Sequence, residues 1–242
     1  MKNSRSLVLI CFFILLAAAR TDAVSAILHD ADYLINTKDQ GNLEEAQTLL
    51  MNVLEKEPHH VQALCLMAKA HFYYGDWVDK QKRVEVFEQG LIFAKRAVDL
   101  DPSSPDAHYW SAALMGRAGE AQGILQSLFM VRPMEEHLER VLELDEEYGW
   151  AYYALSQLYH RTPKKPLSVG DKHLALEYAR RAVELDPQEP EFTVHLSKLL
   201  IHQNKTKEAQ EVLKRALRDP SIEQEPDLKQ EAEELLRSIS NP

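Results

Sequence analysis

Arg96-Ala97-Val98-Asp99-Leu100-Asp101-Pro102, Arg140-Val141-Leu142-Glu143-Leu144-Asp145-Glu146 and Arg181-Ala182-Val183-Glu184-Leu185-Asp186-Pro187 are three renderings of one phrase, and Asn52-Val53-Leu54-Glu55-Lys56-Glu57-Pro58 is a looser fourth. In each, apolar side chains recur at the period of a helix buried on one face, and a proline or an acidic residue closes the run. Proline has no N–H for the helical ladder and disfavours helix in the residue before it, so each phrase ends a helix. Counting back from Pro58, Pro102, Glu146 and Pro187, the residue five places earlier is Val53, Ala97, Val141 and Ala182 in turn. Eight places earlier stand Leu50, Ala94, Leu138 and Ala179, and twelve places earlier Ala46, Gly90, Met134 and Ala175. A fifth copy carries Ala209, Leu213 and Ala216, with Pro220 one residue early. Small side chains at fixed places let neighbouring helices approach closely, so the spacing has packing content.

This pattern resembles the tetratricopeptide repeat, a helix-turn-helix unit of about 34 residues. The resemblance implies an all-α solenoid of helix pairs, each unable to bury its apolar face alone. The expected copies are 27–60, 61–104, 105–148, 149–189 and 190–223, with 224–242 left as a capping helix bearing Leu228, Ala232, Leu235, Leu236 and Ile239 at helical spacing. The middle three exceed the family length, and their extra residues should extend the helices or turn of each pair along one edge. In the first copy Asp30 stands where the family pattern has a large residue, whereas Trp150, Tyr152, Leu155 and Tyr159 share one face in the fourth.

Two stretches of the third copy, Asp106-Ala107-His108-Tyr109-Trp110-Ser111-Ala112-Ala113 and Gly123-Ile124-Leu125-Gln126-Ser127-Leu128-Phe129, point to a narrower resemblance, as do Pro166-Leu167-Ser168-Val169-Gly170-Asp171 and the tail Lys229-Gln230-Glu231-Ala232-Glu233-Glu234-Leu235-Leu236. They are similar to the regulator of microtubule dynamics family, and to bacterial periplasmic tetratricopeptide proteins associated with TRAP-type solute transporters. What the resemblance implies is a scaffold or ligand-passing accessory without catalysis.

The N-terminus reads as an address. Lys2 and Arg5 precede an apolar run from Leu7 to Ala19, and Val24-Ser25-Ala26 supplies small residues for a cut after Ala26. Those 13 residues would span about 20 Å as a helix, short of a roughly 30 Å hydrocarbon core. Residues 1–26 are therefore expected to be a signal peptide, with retention as an anchor left open, and the product to be periplasmic or secreted. Export argues against a cytoplasmic microtubule role. The net charge of −10 disfavours nucleic acid as a partner. Beyond the signal only Cys65 remains, in an apolar stretch, so no internal disulfide is expected and the thiol reads as a small packed hydrophobe.

First-helix side chains of a tetratricopeptide solenoid line its concave surface. Tyr73, Tyr109, Trp150 and Tyr153 are the candidate aromatic contacts there, and Arg117, Gln157, His160, Arg161 and Lys198 the candidate polar or anion-pairing contacts for a protein partner or a small organic or apolar ligand. The alternative is that these rings pack against the elongated helices. The Lys, Asn and Arg clamp with which some family members hold a C-terminal carboxylate is absent. Ile124, Leu125, Leu128 and Phe129 crowd the third copy's insertion, which Pro133 should end. They suit a cavity wall, a homo-oligomer contact or, as the favoured reading, a lid packed on its own repeat. No HExxH and no cysteine pair occurs among the ten histidines, so no metal is expected, and without a glycine-rich phosphate loop or a GxSxG motif no cofactor or catalytic residue is assigned. Asn204-Lys205-Thr206 is a glycosylation sequon by pattern.

Overall fold

A computed structural model describes residues 22–240. Residues 1–21, with most of the expected signal, lie outside the described part, and the expected cut after Ala26 falls within the first described helix, α1, at residues 22–36. Ten further α-helices follow among the described residues: α2 Gln40–Lys56, α3 Val61–Tyr74, α4 Lys80–Leu100, α5 Pro105–Gln122, α6 Ile124–Leu144, α7 Gly149–Arg161, α8 Lys172–Leu185, α9 Pro190–His202, α10 Thr206–Ala216 and α11 Pro226–Ser240. There is no strand among them, only an isolated bridge between Lys164 and Gly170. The chain is all-α and of the tetratricopeptide type.

The helices start where short polar side chains can take up unpaired N–H groups. Asp39 accepts from Asn42 N at 3.1 Å, Ser104 Oγ from Ala107 N at 3.3 Å, and Asp171 from His173 N and Leu174 N at 2.9 and 3.1 Å. Pro105 and Pro190 open α5 and α9, where a missing N–H costs nothing. The residues counted back from each closing turn lie inside: Ala46, Leu50, Ala94, Ala97, Leu138, Val141, Ala179 and Ala182 are all essentially inaccessible.

Two compact units result, Met1–Gly123 and Ile124–Pro242, so that the third copy is divided, its first helix in unit 1 and its second in unit 2. Unit 1 buries Ile35, Leu43, Leu64, Met67, Phe87 and Leu114. Gly75 is required there, because a Cβ at that position would stand 2.0 Å from the Phe87 ring. Unit 2 buries Leu138, Leu155, Phe192, Leu200 and Leu213. Its last apolar face is covered by α11, whose Ala232, Leu228, Leu235, Leu236 and Ile239 pack with Val194, Leu213 and Ile222.

The extra residues are distributed unevenly. The second copy spends them on α4, the third on both α5 and α6, and the fourth on the turn 162–171 between α7 and α8. Pro133 does not end its segment as expected: it lies inside α6, which continues to Leu144. The lid is not seen either, for Ile124, Leu125 and Phe129 are 82%, 76% and 74% exposed.

Candidate binding faces

In unit 1 the first-helix face is built by α3 and α5. Trp110 is its hub, with ring centres 5.7 Å from Phe72, 6.4 Å from Tyr73 and 4.9 Å from Tyr109, each met edge-on. Tyr109 is drawn inside and only 8% exposed, whereas Tyr73 is half-buried. Two cations lie on this cluster. Lys38 Nζ is 5.7 Å from the Tyr73 ring centre, and the Arg117 guanidinium is 5.3 Å from that of Phe72 and 4.8 Å from that of Phe87 while ion-paired with Asp76. The Lys38 carbonyl accepts from Trp77 Nε1 at 2.9 Å, and Lys69 Nζ bonds Asp32 at 2.7 Å and Asn36 at 2.6 Å. Both aromatic faces and cations are thus engaged within the unit.

Unit 2 solves the same positions differently. Trp150 and Tyr153, a turn apart on α7, both pack on Phe192 of α9, Trp150 edge-on with ring centres at 4.8 Å and Tyr153 tilted at 5.3 Å, and Tyr153 also meets His195 edge-on at 5.2 Å. Burial, then the charge of Glu191, pushes the Tyr153 hydroxyl up, and Gln157 hydrogen-bonds it. Trp150, Tyr153 and Gln157 are half-buried, so the rings are held in place without being sealed off. Lys198 pairs with Glu231 at 2.7 Å, tying α9 to α11. At the C-terminal ends of α7 and α9 the His160 and His202 rings lie 5.3 Å apart, and Arg161 is exposed beside them. The His160 ring is held below its ordinary value by burial first and then by the positive charge of His202, Lys172 and Arg161.

Beneath this face lies a buried polar relay. Ser156 Oγ donates its one proton to the Ala175 carbonyl at 2.7 Å, so the 2.8 Å contact with His195 Nε2 must be donated by the ring. His195 is accordingly a neutral Nε2–H imidazole, and burial, reinforced by Lys198, lowers its pKa to about 3. That arrangement is the wrong way round for an activated serine: the hydroxyl proton is committed elsewhere, the ring nitrogen facing it carries a proton, and Ser156 is fully buried.

Of the expected contacts, Trp150, Tyr153, Gln157, His160, Arg161 and Lys198 all fall within unit 2, and Tyr73, Tyr109 and Arg117 within unit 1. Not among those expected are Phe192 and His195, which organise the unit 2 face, and Lys38 and Asp76, which engage that of unit 1. Phe192 and Val194 lie two places apart on α9 and face different partners, and periodicity alone does not say which of the two faces α7. Among the described residues no group of three or more His, Cys, Asp or Glu side chains is gathered for a metal.

A family model of regulator of microtubule dynamics protein 1-3 matches residues 27–161, and a tetratricopeptide repeat model matches 167–220. The Bos taurus regulator of microtubule dynamics protein 1 is 27% identical over 247 residues, which cover 93% of this chain and 75% of the bovine protein. The Mus musculus protein is 30% identical over 69% of this chain, a match that spans 58% of the mouse protein. Among solved structures, a thermophilic tetratricopeptide protein of Thermus thermophilus superposes with a TM-score of 0.69 at 16% identity, over 88% of this chain and 99% of that one. Pseudomonas aeruginosa pilF follows with a TM-score of 0.60 at 14% identity, over 91% and 90%. At such identities the likeness shows the fold alone.

Proposed function

The chain belongs to the regulator of microtubule dynamics protein 1-3 family, and from that membership we propose a non-catalytic interaction scaffold that captures a partner on the α7–α9 face of unit 2. The carrying observation is the pair Trp150 and Tyr153, fixed by Phe192 and, for Tyr153, His195, yet half-buried and not sealed off. Large rings already held in position lose little freedom on binding, which is how a few side chains come to dominate an interface. The N-terminal basic and apolar sequence supports an extracytoplasmic setting, and with it an accessory role beside a solute transporter in preference to microtubules. The test is affinity capture from the native host with the full chain and with Trp150→Ala. The reading requires a partner retained by wild type and by Lys214→Ala but lost by Trp150→Ala; a partner set indifferent to Trp150 overturns it. Recovery of the chain in the extracytoplasmic fraction, with an N-terminus at Ile27, would support the compartment.

A second reading rests on a separate observation. Ile124, Leu125, Leu128 and Phe129 expose a continuous apolar strip on the first two turns of α6. Exposed area of this kind favours self-association. In sedimentation, wild type should form a concentration-dependent oligomer that Leu125→Ser/Phe129→Ser returns to monomer. A wild type that stays monomeric at high concentration excludes this reading and leaves the first untouched.

A further inference from the structure

We infer that the turn edge of unit 2 is a docking surface for an anionic phospholipid bilayer. The edge consists of the turn 162–171 between α7 and α8 and the turn between α9 and α10. The two are brought together by the His160–His202 contact at 5.3 Å and by Gln203 Nε2, which donates to the Lys172 carbonyl at 2.8 Å. Lys164 and Lys165 in the first turn with Lys172 at the start of α8, and Lys205 in the second turn with Lys207 at the start of α10, are all exposed there. Among the described residues none of these five lysines is held in a salt bridge. Asp171 is the acid within the first turn, and its carboxylate is committed to capping α8. In a chain of net charge −10 this is a local reversal of sign.

The C-terminal position of His160, Arg161 and His202 is what helix dipoles favour, but the dipole does not account for Lys172, which opens α8 where a cation is unfavourable. The other end of the same helices has the opposite character: Asp145, Glu146, Glu147, Asp186, Glu189 and Asp219 sit in the turns that join successive repeats. An anionic surface would attract the first edge and repel the second, so the electrostatics also set an orientation.

The apolar tip decides between a lipid surface and an acidic polypeptide. Leu167 is 86% exposed at the apex of the 162–171 turn, beside Lys164, Lys165 and Pro166. The turn is closed on itself, with Gly170 N donating to the Pro163 carbonyl at 2.9 Å, Leu167 N to that of Lys164 at 3.1 Å, and Asp171 N to that of Tyr159 at 3.0 Å. Gly170 allows that closure, since a Cβ there would lie 2.1 Å from the Thr162 carbonyl oxygen. A leucine held out at the tip of a closed turn and ringed by lysines suits the interface, where the side chain enters the acyl boundary and the ammonium groups stay among the headgroups. Clusters of four to eight basic residues are what anionic leaflets attract.

Flotation of the full chain with vesicles tests this at about 0.1 M salt, comparing pure phosphatidylcholine with vesicles containing about 30 mol % phosphatidylglycerol. Any pull by the N-terminal apolar run appears on both compositions and is common to all variants. Wild type should partition at least about tenfold more strongly onto the anionic vesicles, since each lysine at the surface is worth roughly fivefold. Lys164→Glu/Lys165→Glu should abolish that preference, and Leu167→Ser should weaken it several-fold with the helical circular dichroism unchanged. Lys56→Glu/Lys214→Glu, with the same change in net charge, should keep it. Equal partitioning of Lys164→Glu/Lys165→Glu and wild type overturns the inference, as does equal loss in the control variant. Capture of a glutamate-rich peptide through Lys164 and Lys165, without vesicle binding, replaces the lipid by an acidic polypeptide.

Discussion

Units 1 and 2 place rings at corresponding first-helix positions and use them differently. On α3 and α5 the face is closed by the unit's own cations, with Lys38 on Tyr73 and Arg117 on Phe72 and Phe87, neutralised by Asp76. On α7 and α9 the rings pack on one another over a neutral histidine, and much of the basic charge is moved to the turns. Position within a repeat therefore does not decide whether a ring is a contact. What decides is whether the chain supplies its own occupant, and unit 1 does so with Lys38 and Asp76 from turns and Arg117 from α5.

The largest expected effect that distinguishes the units is on pH dependence. His195 has a folded pKa of about 3 against 6.5 unfolded, so below 6.5 the unfolded state takes up a proton that the native state refuses. Stability from this group is present above pH 6.5 and lost as pH falls toward 3. Between pH 7 and 4 unit 2 should lose about 3 kcal/mol more in wild type than in His195→Gln, read by hydrogen exchange of α7 and α9 peptides. His71 of unit 1 is lowered too, by burial, but its Nδ1–H bond to the Met67 carbonyl at 2.8 Å opposes the shift, so α3 should respond less. Equal slopes in the two units would erase the contrast.

Next in size is a pair of glycine substitutions. Gly75→Ala drives a methyl group into the buried Phe87 ring and should cost about 2–3 kcal/mol in unit 1. Gly149→Ala meets the Phe192 ring at 3.1 Å, close enough for a small tilt to relieve it, and should cost under about 1 kcal/mol. Parallel denaturant titrations would compare them.

Smaller again is the removal of a cation from each face. Arg117→Met gives up two ring contacts and the Asp76 pair, and should lower unit 1 stability by about 1 kcal/mol. Lys198→Met loses a half-exposed pair with Glu231 and should shift unit 2 by less than about 0.5 kcal/mol. If Lys198→Met instead proved the more damaging, the unit 2 face would be as self-sufficient as that of unit 1.

The repeat register was legible because it is a steric code. Ala46, Ala94, Ala97 and Ala182 are small where helices touch, and spacing alone finds them. Helix extent was less so. Pro133 reads as a stop, yet losing one N–H to the Phe129 carbonyl does not outweigh the burial of Val131, Leu138 and Val141 on the same helix. The faces were harder still. Lys38 and Asp76 stand in turns, outside any period, and Ser156 and His195 are joined across 39 residues by a bond that no local pattern announces. The basic edge of unit 2 was written in the sequence from His160 to Lys172, but only the turn geometry shows that Leu167 stands at its apex.

Cys65 is sealed within α3, and burial, followed by the nearby charge of Asp106, pushes its thiol up to about 12. At neutral pH almost none of it is thiolate, the form that attacks alkylating reagents and disulfides. In an oxidising compartment it would therefore not cross-link two copies covalently. For the bench, a cysteine engineered onto α6 or at the 162–171 apex would accept a maleimide dye or spin label while Cys65 stays silent.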